Sequence, residues 1–168
     1  MILFLDFDGV LHPDAAYLVH GKPALKADGE LFMWAPILID VLATRPDIRL
    51  VLSTSWVREL GFKRARARLP EALAQRVIGA TWHSAMLLQA DPAYSAQYST
   101  WWDRVTRYQQ IARYVERAQL MNWIAIDDDG EGWAGSARHR LVLTNSDTGL
   151  ACPITLRELE LRLDEGAP

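Results

Sequence analysis

The 168-residue chain is 50% hydrophobic, enough to bury one sizeable core but hardly two, so a single domain over 1–168 is expected. A formal net charge of -3 excludes a global attraction to nucleic acid or acidic lipid, and any anionic partner must be held locally. Cys152 is the only cysteine, which excludes an intrachain disulfide and makes the cytoplasm the expected compartment.

The opening "MILFL" is apolar but too short for a signal segment, lacks a basic lead and is broken by Asp6. Met1 is therefore expected to start the mature protein. "ILFLD" (2–6) reads as the first strand, apolar throughout and thus covered on both faces by helices. "AYLVHGKPALKA" suggests a small flap hairpin at about 15–27. Leu31 to Thr44 has helical spacing and is stopped by Arg45 and Pro46. "IRLVLS" (48–53), "RVIGAT" (76–81), "NWIAID" (122–127) and "RLVLTN" (140–145) supply four further strands, each with a polar ending. Arg104 to Leu120 carries an apolar stripe of Val105, Tyr108, Ile111, Ala112, Val115 and Ala118. A last helix starts at Pro153 and runs through Leu156, Leu159 and Leu163. The alternation predicts an α/β fold: a Rossmann-like, doubly wound, mainly parallel five-stranded sheet with helices on both faces.

Open parallel sheets bind ligands at the carboxyl ends of their strands, where the polar endings converge. Asp6 and Asp8, then Ser53, Thr54 and Ser55, then Asp127, Asp128 and Asp129 are expected around one small volume. Close carboxylate pairs repel by about 4 kcal/mol at an effective dielectric near 20, so a cation is expected among them. All-oxygen ligands favour Mg2+ over zinc. A tight turn after Asp6 can put the Asp6 carboxylate and the Asp8 backbone carbonyl on one metal and leave the Asp8 side chain for proton transfer. Gly9 relieves the backbone there.

"DFDGVL", "LVLSTSW" and "WIAIDDD" occur in the order of the motifs of the haloacid dehalogenase-like (HAD) superfamily, which the chain resembles over most of its length. The resemblance implies that Asp6 is a phosphorylated nucleophile and Asp8 a general acid, then base. It further implies that Thr54 binds the transferring phosphoryl group, with Ser53 and Ser55 as alternatives, and that Asp127 and Asp128 complete the Mg2+ site. Val10 stands where the first motif more often has threonine. The third motif is a lone cation; Arg104 and Arg107 sit near the helix end facing the site, and Arg107 fits best. The chain is most similar to stand-alone domains resembling the phosphatase modules of RNA-repair proteins, through "LDFDGVLHP", "LSTSW" and "IDDD".

The expected activity is thus a Mg2+-dependent phosphomonoester hydrolase. The intervals after the first and second motifs are too short for a large cap, so the site is expected to be open to a nucleic-acid end or another large substrate. A small-molecule or nucleotide phosphatase is the alternative, and a non-catalytic or receiver-like phosphate-binding module a second. A receiver normally phosphorylates an aspartate on an internal strand, whereas DxD here ends the first strand. Three features read as structural rather than functional: His12 before Pro13; the solvated run Arg58, Lys63, Arg64, Arg66 and Arg68; and Trp56, Trp82, Trp101, Trp102 and Trp133 as packing groups rather than base-stacking ones.

Overall fold

The computed structural model describes residues 1–89 and 101–166. Five parallel strands form one sheet in the order β5-β4-β1-β6-β7. They are β1 (Ile2–Leu5), β4 (Arg49–Leu52), β5 (Val77–Ala80), β6 (Trp123–Asp127) and β7 (Leu141–Leu143). The chain winds outward from β1 to β5 in one direction, returns, and continues on the other side of β1. Strand order therefore reverses at β1, where a ligand crevice forms. All five expected strands are present, each a residue or more shorter than its apolar run. Asp6 and Ser53 consequently lie just past their strands, on the carboxyl rim.

Leu3, Phe4 and Leu5 of β1 are fully buried because both faces of the strand are covered. Leu3 and Leu5 join one core with Leu38 of helix α1 (Ala35–Ala43) and Leu159 and Leu163 of helix α6 (Pro153–Glu165). The same core takes in Trp56, Val57 and Leu60 of helix α2 (Ser55–Leu60), Ala65 of α3 (Phe62–Arg66) and Leu73 of α4 (Glu71–Ala74). Phe4 points the other way and packs with Ile111 of helix α5 (Arg107–Ala118), Trp123 and Trp133. The period-2 alternation of the strands thus assigns each residue to one of two cores. Between β1 and α1, strands β2 (Ala16–Val19) and β3 (Lys22–Leu25) pair as an antiparallel hairpin with Tyr17, Leu18 and Val19 exposed. No large cap domain occurs among the described residues, and none of their helices is long and apolar enough to cross a membrane.

Two helices start later than the apolar spacing suggests. The segment from Leu31 forms turns until Ala35, because Phe32 takes a positive φ of 62° and Pro36 sits in the helix's first turn. Arg104 belongs to a separate 3-10 turn, Trp101–Arg104, and α5 begins only at Arg107. The reason is a capping box. Thr106 Oγ1 accepts from the Gln109 amide at 3.3 Å, and Gln109 Oε1 accepts from the Thr106 amide at 3.0 Å.

Replacing the cap, Thr106→Ala, should lower the unfolding free energy by about 1 kcal/mol in urea denaturation, with an unchanged m-value.

Candidate active site

Register brings the polar strand endings into one row. Leu5 pairs with Leu52 on one side and Ile126 on the other. The next residues, Asp6, Ser53 and Asp127, therefore lie side by side on three adjacent strands about 4.8 Å apart. Backbone bonds carry the ladder one step past the strands: Asp6 N–H donates to Ile126 O at 3.2 Å and Ser53 N–H to Leu5 O at 2.9 Å.

Asp6, Asp127 and Asp128 each offer a carboxylate oxygen within 4.8 Å of the others. Asp6 is 3% exposed and Asp127 fully buried, so their charges have almost no access to water. Burial pushes the Asp6 carboxyl from 3.8 up to about 6, with Arg107 opposing the rise and Asp8 adding to it. Burial, followed by the neighbouring Asp6, pushes Asp127 well above the ordinary carboxylate range. Arg107 enters from the first turn of α5. Its Nε lies 3.0 Å from Asp127 Oδ2 and its Nη2 3.4 Å from Asp6 Oδ2. Burial works against the guanidinium charge, but Asp6 and Asp127 hold it firmly protonated.

One arginine against three carboxylates leaves the cluster negative. Asp127 Oδ2 and Arg107 Nε, though close, are not aligned as a hydrogen bond and have no hydrogen-bond partner among the described residues. An unpartnered buried carboxylate oxygen among hard oxygen donors fits a small divalent cation such as Mg2+. Asp128, the first residue past β6, is fixed from outside by Ser146 Oγ, which donates to its Oδ2 at 2.6 Å. Gly9 has a φ of 65°, and a Cβ there would collide with the Asp128 carboxylate. Glycine therefore lets the β1 loop close against the cluster.

Asp8 stands apart from the three. Its Oδ2 accepts from Trp56 Nε1 at 2.8 Å, and its Oδ1 lies 3.1 Å from His12 Nε2. The Phe32 amide donates to His12 Nδ1 at 3.4 Å, so Nε2 carries the proton and donates to Asp8. His12 is completely buried and reads as a positioning group, and Trp56 is its counterpart on α2. Both lie within or beside the motifs "LDFDGVLHP" and "LSTSW", yet the sequence assigns them a structural rather than a site role. For Trp56 the only signal was its place directly after "STS". Thr144 and Ser146 were also missed, although "RLVLTN" ends in the same polar manner as its neighbours. Thr144 Oγ1 donates to Gly9 O at 2.7 Å and ties β7 to the β1 loop.

The three hydroxyls of "STS" have separate environments. Ser53 Oγ is buried with no hydrogen-bond partner among the described residues, Thr54 Oγ1 caps α2 by accepting from the Trp56 amide at 3.4 Å, and Ser55 is exposed. Arg104 is exposed and lines a cavity of about 440 Å³ that also touches Ser55, Arg107 and Asp129. The basic run is largely engaged: Arg64 and Arg66 donate to Leu60 O and Ala74 O, and Arg58 pairs with Glu59 and Asp103. Trp56, Trp82, Trp102 and Trp133 are buried, and Trp101 is half-buried beneath the Arg113 guanidinium.

A family model described as "HAD domain in Swiss Army Knife RNA repair proteins" matches residues 2–153. No curated protein and no solved structure matches the chain.

The raised carboxyls give a pH signature. Because the folded value for Asp6, about 6, exceeds its ordinary 3.8, the stability linked to its proton is present below about pH 4 and lost as pH rises through 6. Without divalent cation, Asp6→Asn should therefore be more stable than the parent at pH 7, by up to about 3 kcal/mol, and the two should converge towards pH 4 in thermal melts. Protons and cation compete for the same oxygens. The Mg2+ concentration giving half-maximal thermal stabilisation of the parent should rise as pH falls from 7 to 5.

Proposed function

The chain belongs to the HAD domain family of Swiss Army Knife RNA repair proteins, and from that premise we propose that it is a Mg2+-dependent phosphatase acting on nucleic-acid ends. The observation that carries this reading is the cluster of buried Asp6 and Asp127 with half-buried Asp128, faced by Arg107, with Asp8 fixed beside it. A structural role gives no reason to bury acids this way. Charge positioned for phosphoryl transfer does.

Asp6 is the nucleophile. Its carboxylate oxygen forms a bond to phosphorus as the bond from phosphorus to the leaving oxygen breaks, giving an aspartyl-phosphate. Asp8 donates the proton that the leaving oxygen takes up. The resulting Asp8 carboxylate, held by Trp56 and His12, then accepts a proton from water whose oxygen attacks the same phosphorus. The bond from phosphorus to Asp6 breaks, inorganic phosphate leaves, and Asp6 is restored. Arg107 places positive charge beside Asp6, where two negative groups must approach each other. Ser53 and Thr54, with Ser55 and the Gly9 turn beside them, supply hydroxyl and backbone donors for the phosphoryl oxygens. Arg104 adds a second cation on the rim. Asp6, Asp127, Asp128 and the Asp8 carbonyl would hold Mg2+, which when bound neutralises charge between the carboxylates and the phosphoryl group.

With no large cap among the described residues, the site suits a substrate whose bulk stays outside it. In Mg2+, the protein should release phosphate from 5′- or 3′-phosphorylated oligonucleotides faster than from mononucleotides or phosphopeptides. Chelation should stop the release, and Mg2+ should restore it. Asp6→Asn should lower kcat by roughly a thousandfold or more, and Arg107→Ala by roughly a hundredfold. Undiminished turnover by Asp6→Asn would remove Asp6 as nucleophile. Parent protein inert towards every phosphoester would favour a silent binding module instead.

A further inference from the structure

A second cavity, of about 310 Å³, opens between the β2–β3 hairpin and α2 and has Asp8 among its lining residues. Its other walls include Tyr17, Pro23, Trp56, Glu59 and Leu60. The volume falls at the lower end of small-molecule sites. Tyr17 is 53% exposed and continues into the exposed Leu18 and Val19, an apolar patch on the hairpin of the kind that marks a binding surface.

We propose that this groove seats the leaving group as the terminal nucleoside of a phosphorylated strand, with its base stacked on Tyr17. The proposal rests on the phosphatase reading and specifies which side of the site the strand occupies. Asp8 is the group that protonates the leaving oxygen, so whatever carries that oxygen must extend from Asp8. The groove is a cavity that Asp8 lines. Its walls join an aromatic ring and aliphatic surface to a carboxylate, Glu59, able to accept from a base amine or a ribose hydroxyl. The hairpin also brings cations. Lys26 Nζ lies 4.4 Å from the centre of the Tyr17 ring, and Lys22 is exposed beside the hairpin turn. A base stacked at Tyr17 therefore has positive charge nearby for the phosphodiester that follows it. A phosphoserine or phosphothreonine leaving group would bring no ring to stack, and no phosphopeptide leaving group would bring the next phosphodiester to pair.

The test compares kcat/KM for short phosphorylated oligoribonucleotides whose phosphorylated terminal nucleotide is either complete or abasic. The parent should prefer the complete terminus by about tenfold or more. Tyr17→Ala should bring that ratio close to one by slowing the complete substrate, whereas Tyr17→Phe should keep it. A parent ratio near one, a ratio preserved in Tyr17→Ala, or an equal loss in Tyr17→Phe would overturn stacking on Tyr17 while the phosphatase reading stands. A parent that releases phosphate from neither substrate would overturn the phosphatase reading, and the groove with it.

Discussion

A parallel sheet holds its strands about 4.8 Å apart, so acids that end adjacent strands meet at a distance where like charges repel by roughly 4 kcal/mol, even at an effective dielectric of 20. Asp6 and Asp127 are in that position, and both are buried. The rest of the site responds to this repulsion. Arg107 spans the two carboxylates, and both acids keep raised proton affinities despite it. One guanidinium does not neutralise the cluster, whose oxygens could hold a metal ion.

Holding such charges in place requires neighbours that cannot drift. The capping box at Thr106 fixes the first turn of α5, the turn that carries Arg107. From the opposite edge, the segment just after β7 contributes Thr144 to Gly9 and Ser146 to Asp128, so the β1 loop is tied to the end of a strand two places away in the sheet. These contacts stabilise the fold and orient the acids together. The buried charges themselves cost stability, a common trade between activity and folding.

Phe7, the ring between the two aspartates of "DFD", explains how neighbouring residues take different roles. It is completely buried, with ring centres 5.2 Å from Phe32 and 5.7 Å from Trp56. His12 packs on the same two rings at 5.1 and 5.7 Å. This aromatic cluster aims both the Trp56 and His12 nitrogens at Asp8. Asp6 is thereby committed to the charged row along the sheet edge, and Asp8 to the side facing the hairpin.

Much of the fold was legible because its signals are local. Continuous apolar runs identified five strands, and their polar endings identified Asp6, Asp127 and Asp128, since strand ends in a parallel sheet share one rim. The late start of α5 was equally local, written in Thr106 and Gln109, but the apolar stripe alone does not mark it. Other features depend on packing between distant residues. Arg107 reaches Asp6 across 101 positions and Trp56 reaches Asp8 across 48; no spacing rule links them. Sequence determined which elements form and which chemistry collects at their ends, because period and composition act over a few residues. Only the tertiary structure decided which arginine faces the acids, which hydroxyl is left unpartnered and what orients Asp8, because those depend on the angles at which helices settle on the sheet.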